Sequence, residues 1–145
     1  MAAVKKIVLI EFTPAQMFDL VDRCEDYPRF LPWCGGSEVH HRDERITRAT
    51  LHINYHGIKS HFSTENDKQY PTHMHIRLTE GPFTHLDGSW DFTPLGDAAC
   101  KVEFNLRYEF SSRLIEKAVG PVFNHIANTF VDSFVKRAGQ IYGGK

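Results

Sequence analysis

The stretch Ser112-Arg-Leu-Ile-Glu-Lys-Ala-Val-Gly-Pro-Val-Phe-Asn-His-Ile-Ala-Asn-Thr-Phe-Val-Asp-Ser-Phe-Val-Lys-Arg-Ala-Gly-Gln-Ile-Tyr142 decides the fold. Apolar residues fall at Leu114, Ile115, Ala118, Val119, Val122, Phe123, Ile126, Phe130, Phe134 and Ala138. This i, i+3, i+4 spacing predicts one long amphipathic helix. Pro121, Asn124, His125, Asn128, Asp132 and Lys136 gather on the opposite side. Ser111 or Ser112 suits the N-cap, Lys136 and Arg137 suit the negative end, and Gly143 and Gly144 suit the stop. The apolar series drifts around the helix because its steps of four overshoot 3.6 residues per turn, and Gly120-Pro121 predicts a kink. At about 40 Å such a helix needs a broad surface to cover its stripe.

The residues before it supply that surface. Ala49, Leu51, Ile53 and Tyr55 alternate with polar neighbours, and His56-Gly57 suits a tight hairpin turn. Ile58, Ser60, Phe62 and Thr64 continue the alternation, with a turn expected at Asn66-Asp67 and Pro71. Met74, Ile76 and Leu78 follow, then Leu86, Trp90 and Phe92, then Val102, Phe104, Leu106, Tyr108 and Phe110. Period-2 patterning over several strands predicts an antiparallel sheet with one wet and one buried face. Upstream, Val4 to Phe12 reads as a first strand. Thr13, Pro14 and Gln16 then open a helix with a capping box, which buries Met17, Leu20, Val21 and Cys24. Pro28 and Pro32 limit the next segment to a short helical turn, and Gly35-Gly36 is expected to break the chain. The fold class is α+β: a curved antiparallel sheet closed over a C-terminal helix, in a single domain spanning residues 1–145.

Composition narrows the function classes. The chain is 41% hydrophobic and 24% charged, as in an ordinary soluble globule, and its net charge of −1 supplies no overall field for DNA. The apolar run Ile7–Ile10 is too short for a membrane span or a signal segment. Cys24, Cys34 and Cys100 are an odd, scattered set, read as reduced thiols of a cytoplasmic protein. Nine histidines invite a metal reading, with His73 and His75 on one strand face and His52 and His56 on another. No Cys or carboxylate pattern joins them, and no metal site is assigned. There is no nucleophile elbow, Cys-His pair or phosphate loop, so no catalytic residue is assigned and no cofactor is required.

The candidate binding residues are aromatic and aliphatic. Tyr55, Phe62, Trp90, Phe104, Tyr108, Val122, Phe123, Ile126 and Phe130 face the sheet–helix interior, where they either line a ligand cavity or form a solid core. Tyr55 and Tyr108 each carry a hydroxyl that needs a partner when buried. Tyr27, Phe30, Leu31, Pro32 and Trp33 sit in a segment too broken for regular core structure. They form a lid, a tip for transient membrane or ribosome contact, or a plug on the sheet edge, and Gly81–Phe83 forms the other rim. Arg42, Arg45 and Arg48, with His40 and His41, make the densest basic cluster, a candidate for ribosomal RNA phosphates or a solvated hairpin.

Three stretches carry a family resemblance: Tyr27-Pro-Arg-Phe-Leu-Pro-Trp-Cys34; Gly81-Pro82-Phe83 with Leu86, Gly88, Trp90 and Phe92; and Tyr108-Glu-Phe-Ser111 with Phe134, Arg137, Ala138 and Tyr142-Gly143. Together they resemble the START-like family that contains the mitochondrial coenzyme Q-binding protein and the ribosome-association toxin RatA. The resemblance implies a helix-grip fold with a hydrophobic cavity between sheet and helix. It implies, as function, binding of ubiquinone or another lipid, with the large ribosomal subunit as the alternative partner and subunit joining as the step blocked. The cyclase/aromatase branch is a third reading, with no chemistry-bearing motif here to extend it to this chain.

Overall fold

The computed structural model describes residues 2–143; Gly144, one of the two glycines expected to stop the long helix, lies outside them. The elements run β1 (Ala2–Ile10), α1 (Pro14–Asp22), a 3-10 turn (Cys24–Arg29), β2 (Cys34–Arg42), β3 (Ile46–Tyr55), β4 (Ile58–Gln69), β5 (His73–Glu80), β6 (Phe83–Pro94), β7 (Cys100–Phe110) and α2 (Arg113–Tyr142). The seven strands form one antiparallel sheet in the order β1-β7-β6-β5-β4-β3-β2. Its inner face packs on α2, which also touches α1. This is the antiparallel sheet closed over a C-terminal helix that the alternating strands and the long helix predict, and the helix-grip fold that the family resemblance implies.

Local chemistry accounts for most element ends. Thr13 Oγ1 accepts from the Gln16 N–H at 3.1 Å, while Gln16 Oε1 accepts from the Thr13 N–H at 2.8 Å, closing the capping box of α1. Ser112, not Ser111, caps α2 through a 3.1 Å bond from the Ile115 N–H. His56 (φ 51°) and Gly57 (φ 80°) both take the left-handed conformation that a tight two-residue hairpin requires. The buried positions of α2 include Gly120, Phe123, Ala127, Val131, Phe134 and Ala138, in steps of three or four that average the helical period. Phe134 is fully buried, so its truncation to alanine would cost about 3–5 kcal/mol.

Several expectations need correcting. Leu114 is 77% exposed and Ala118 is also exposed, so the first turns of α2 lie outside the grip and the buried stripe begins near Val119. Ala127 and Val131 belong to that stripe, which therefore tracks the helical period. Pro121 lies at an exposed position inside α2 and does not end the helix. Lys136 and Arg137 precede the last turn, and Gly143 caps the helix in a right-handed conformation. The first strand starts and ends two residues earlier than expected, and it alternates, with Ile7 and Leu9 exposed. Gly35-Gly36 does not end a segment: both lie inside β2, at a register shift against β3. A Cβ on Gly35 would come within 2.9 Å of the Asn54 Cβ, so the residue permits close strand approach. Asn66-Asp67 is not a turn. β4 runs on to Gln69, and the chain reverses at Tyr70–Thr72 around Pro71. Polar side chains at Asn66 and Lys68 are thereby carried onto the inner face, where both are buried.

Candidate functional site

The segment from Cys24 to Cys34 is a plug. Two prolines prevent it from joining a regular helix, and its apolar side chains turn toward α2. The Tyr27 ring meets Phe134 at 5.3 Å and Phe130 at 6.3 Å, Phe30 meets Phe134 at 5.2 Å, and Trp33 meets Phe130 at 6.1 Å. Leu31 is 1% exposed. The Tyr27 hydroxyl donates to the Val21 carbonyl, which fastens the plug to the end of α1. The Arg137 guanidinium lies 5.3 Å from the centre of the Phe30 ring and covers it from outside.

Behind the plug the interior is nearly full. Trp90, Phe104, Phe130 and Phe134 form one aromatic cluster; Phe62, Phe83, Tyr108, Phe110 and Phe123 form another. Between sheet and helix remains a cavity of about 60 Å³. Of the expected binding residues, Tyr27, Trp33, Phe62, Trp90, Phe104, Phe123, Ile126 and Phe130 line it. Phe30, Leu31, Tyr55, Phe83, Tyr108 and Val122 do not. The Tyr108 hydroxyl donates to Asn124 Oδ1, and Tyr55 stacks parallel to His125 with ring centres 5.6 Å apart. Of the polar lining, Thr64 lies on the alternation already read for β4, whereas Asn66 was missed because the expected turn ended β4 too soon. Continuing the period-2 alternation past Thr64 would have found both Asn66 and Lys68.

Beside the cavity, Asp22 gathers three partners. Thr47 Oγ1 donates to its Oδ1 at 2.8 Å, Lys68 Nζ donates to its Oδ2 at 3.1 Å, and Arg42 Nε lies 3.6 Å away. Arg42 also forms a bidentate pair with Glu25, at 2.7 and 2.9 Å. That bonding holds the Glu25 carboxyl below its usual range. Burial pushes the Cys24 thiol up to about 12, and it raises Cys34 and Cys100 as well. All three are neutral thiols near pH 7 and poor nucleophiles.

The basic cluster does not converge. Arg42 turns to Glu25 and Asp22. Arg48 pairs with Glu65 at 2.8 Å, and Arg77 pairs with the same carboxylate, whereas Arg45 stands exposed at the β2–β3 turn. The outer sheet face carries histidine–carboxylate pairs: His52 with Glu38, His73 with Asp91 and His85 with Asp87, each at 2.7 Å. His56 has left the strand for the hairpin tip, apart from His52. Among the described residues, no three His, Cys, Asp or Glu side chains are placed to hold a metal ion.

With a sheet, a gripping helix and a small walled cavity in view, comparison with known proteins becomes informative. A family profile described as polyketide cyclase / dehydrase and lipid transport matches residues 10–135. The chain belongs to that family. Within it, the ribosome association toxin RatA of Vibrio cholerae is 42% identical over 143 residues, covering 99% of both chains. The mitochondrial coenzyme Q-binding protein COQ10 homolog B of Xenopus laevis is 30% identical, covering 93% of this chain and 57% of that one. The crystal structure of the Zhui aromatase/cyclase from Streptomyces sp. R1128 superposes with a TM-score of 0.78, covering 99% of this chain and 98% of that one. At 13% identity it shows the shared fold alone. These two family relatives carry the names of a toxin and a binding protein, while the fold neighbours include cyclases. No helix among the described residues is long and apolar enough to cross a membrane.

Proposed function

We propose that this chain acts as a ribosome-association protein of the RatA type, docking on the large subunit from the cytoplasm and hindering subunit joining without catalysing a reaction. The observation that carries this reading is its full-length, 42% identical match to a named ribosome association toxin. The nearly filled interior supports it, because it directs function to the surface. A cavity of about 60 Å³ is well below the ~300–1,000 Å³ of pockets that enclose drug-sized ligands. The direct test is co-sedimentation of purified protein with separated subunits. Binding to the large subunit alone, weakening as salt rises because phosphate contacts release counterions, is expected. Absence of binding to either subunit at low salt would overturn the reading.

A second reading, binding of ubiquinone or another lipid under α2, draws on the apolar lining and on the more distant coenzyme Q-binding relative. It requires the Cys24–Cys34 plug to swing away from Phe130 and Phe134. Mass spectrometry of an organic extract from natively purified protein tests it: a co-purifying quinone or lipid supports it, and none, even after added quinone, opposes it.

A further inference from the structure

On the sheet face turned away from α2, three histidines gather in one shallow groove: His40 of β2, His52 of β3 and His61 of β4. His52 and His61 stand directly opposite each other in the β3–β4 ladder, with ring centres 5.9 Å apart. The Nε2 of His40 lies 2.7 Å from Thr50 Oγ1, which lies 2.6 Å from Ser63 Oγ, so two hydroxyls anchor that ring across the strands. Charged neighbours face the rings from each strand. His52 donates to Glu38 of β2 at 2.7 Å, and Glu80 of β5 lies 3.5 Å from His61. Arg48 of β3 and Arg77 of β5 share Glu65 of β4, and Lys59 shares the outer face of β4 with His61. His41, next in β2, turns instead to Asp43 at 2.8 Å. Three carboxylates thus meet three permanent cations in and around the groove, which carries no net charge while its imidazoles are neutral.

Acidification changes that balance in one direction. An imidazole ordinarily takes up a proton near pH 6.5. The bond from His52 holds the Glu38 carboxyl below its usual range, and the bond from Arg48 does the same for Glu65. Both carboxylates therefore stay ionised as the histidines charge. The groove gains three positive charges, and those on His52 and His61 face each other across one ladder. Like charges so placed repel, and an anion seated over them relieves the repulsion. The adjoining part of the face behaves differently. There Asp67 stands opposite His75 and Asp87 accepts from His85 at 2.7 Å, so protonation only offsets aspartates already present. We infer that the outer groove of β2–β5 is a proton-gated docking surface for the RNA phosphate backbone, uncharged above the histidine range and cationic below it. That the RNA is ribosomal rests on the ribosome-association reading; the change of charge does not.

Fluorescence anisotropy of a labelled RNA duplex tests the surface, and co-sedimentation with separated large subunits tests the source of the RNA. Both use the full chain, at about pH 7.8 and about pH 6. Each ligand is expected to bind about tenfold more tightly at the lower pH, with log K falling more steeply against log salt by about two, as three added phosphate contacts require. The triple variant His40→Gln, His52→Gln, His61→Gln should lose most of that pH response. In wild type near pH 6, added duplex should move the imidazole resonances of His40, His52 and His61 and leave those of His73 and His85 in place. This measurement decides even if the variant does not fold. Equal duplex affinity at both pH values would overturn the inference, as would a folded triple variant with the full pH response or shifts confined to His73 and His85. Subunit binding that ignores pH would also overturn it, while leaving the ribosome reading intact. Acid-tightened duplex binding with no subunit binding at either pH would support the groove and overturn the ribosome reading instead.

Discussion

Lys68 Nζ lies 3.1 Å from Asp22 Oδ2, joining the last residue of α1 to the inner face of β4, with the Lys68 side chain only 5% exposed. The bond closes one end of the grip, because the plug begins two residues after Asp22. Removing one member of a buried pair strands the other, at a typical cost of about 3–5 kcal/mol. Asp22→Ala should approach that cost, since it strands Lys68 and also removes partners of Thr47 and Arg42. Lys68→Met should cost less: the methylenes are retained and Arg42 still faces Asp22. Urea unfolding of both variants measures the difference, and equal losses would contradict this ordering.

The arginines divide by role. Arg42→Glu places a third carboxylate beside Glu25 and Asp22, and should lower stability by more than 1 kcal/mol. Arg45→Glu, at an exposed turn, should stay within about 0.5 kcal/mol of wild type. Only Arg45→Glu can therefore test a ribosome contact cleanly, by co-sedimentation with the fold intact. If Arg42→Glu proved neutral in thermal melting, its pairing with Glu25 would carry no weight.

Alkali should expose the buried thiol. Below about pH 9, the ordinary value, Cys24 is neutral in both folded and unfolded chains. As pH rises from about 9 toward about 12, the unfolded chain gives up this proton while the native one keeps it, so stability is lost across that window. Tyr27, raised by the same burial, adds to the loss at the upper end. Urea unfolding between pH 8 and 10.5 should show a falling midpoint, with a shallower fall in Cys24→Ala. A flat profile would show that neither group is held neutral.

Much of this architecture is legible in the chain. Strict alternation through Val102–Phe110 and the Thr13–Gln16 capping box fixed their elements, because each pattern has one physical solution. The errors arose where local signals competed with tertiary context. Gly35-Gly36 resembles a break, yet pairing with β3 holds it in a strand. Asn66-Asp67 resembles a turn, yet neighbours on both sides of β4 keep it extended. Leu114 fits the apolar period but lies beyond the edge of what the sheet can cover. At the candidate site, the aromatic lining follows from alternation. Filling is a matter of volume, and spacing cannot report it.

Ile126→Trp probes that filling. Ile126 is 3% exposed and lines the cavity. A ring larger than the space available should cost about 1–3 kcal/mol, which is several degrees in melting temperature for a domain of this size. Unchanged or higher melting would mean that the grip holds more empty space than about 60 Å³.

The central claim, that this chain works on the ribosome, is met most directly by a sucrose gradient of cells overproducing it. The account predicts more free subunits and fewer joined ribosomes than in control cells, with the chain migrating alongside the large subunit. An unchanged gradient at high levels of folded protein would contradict it.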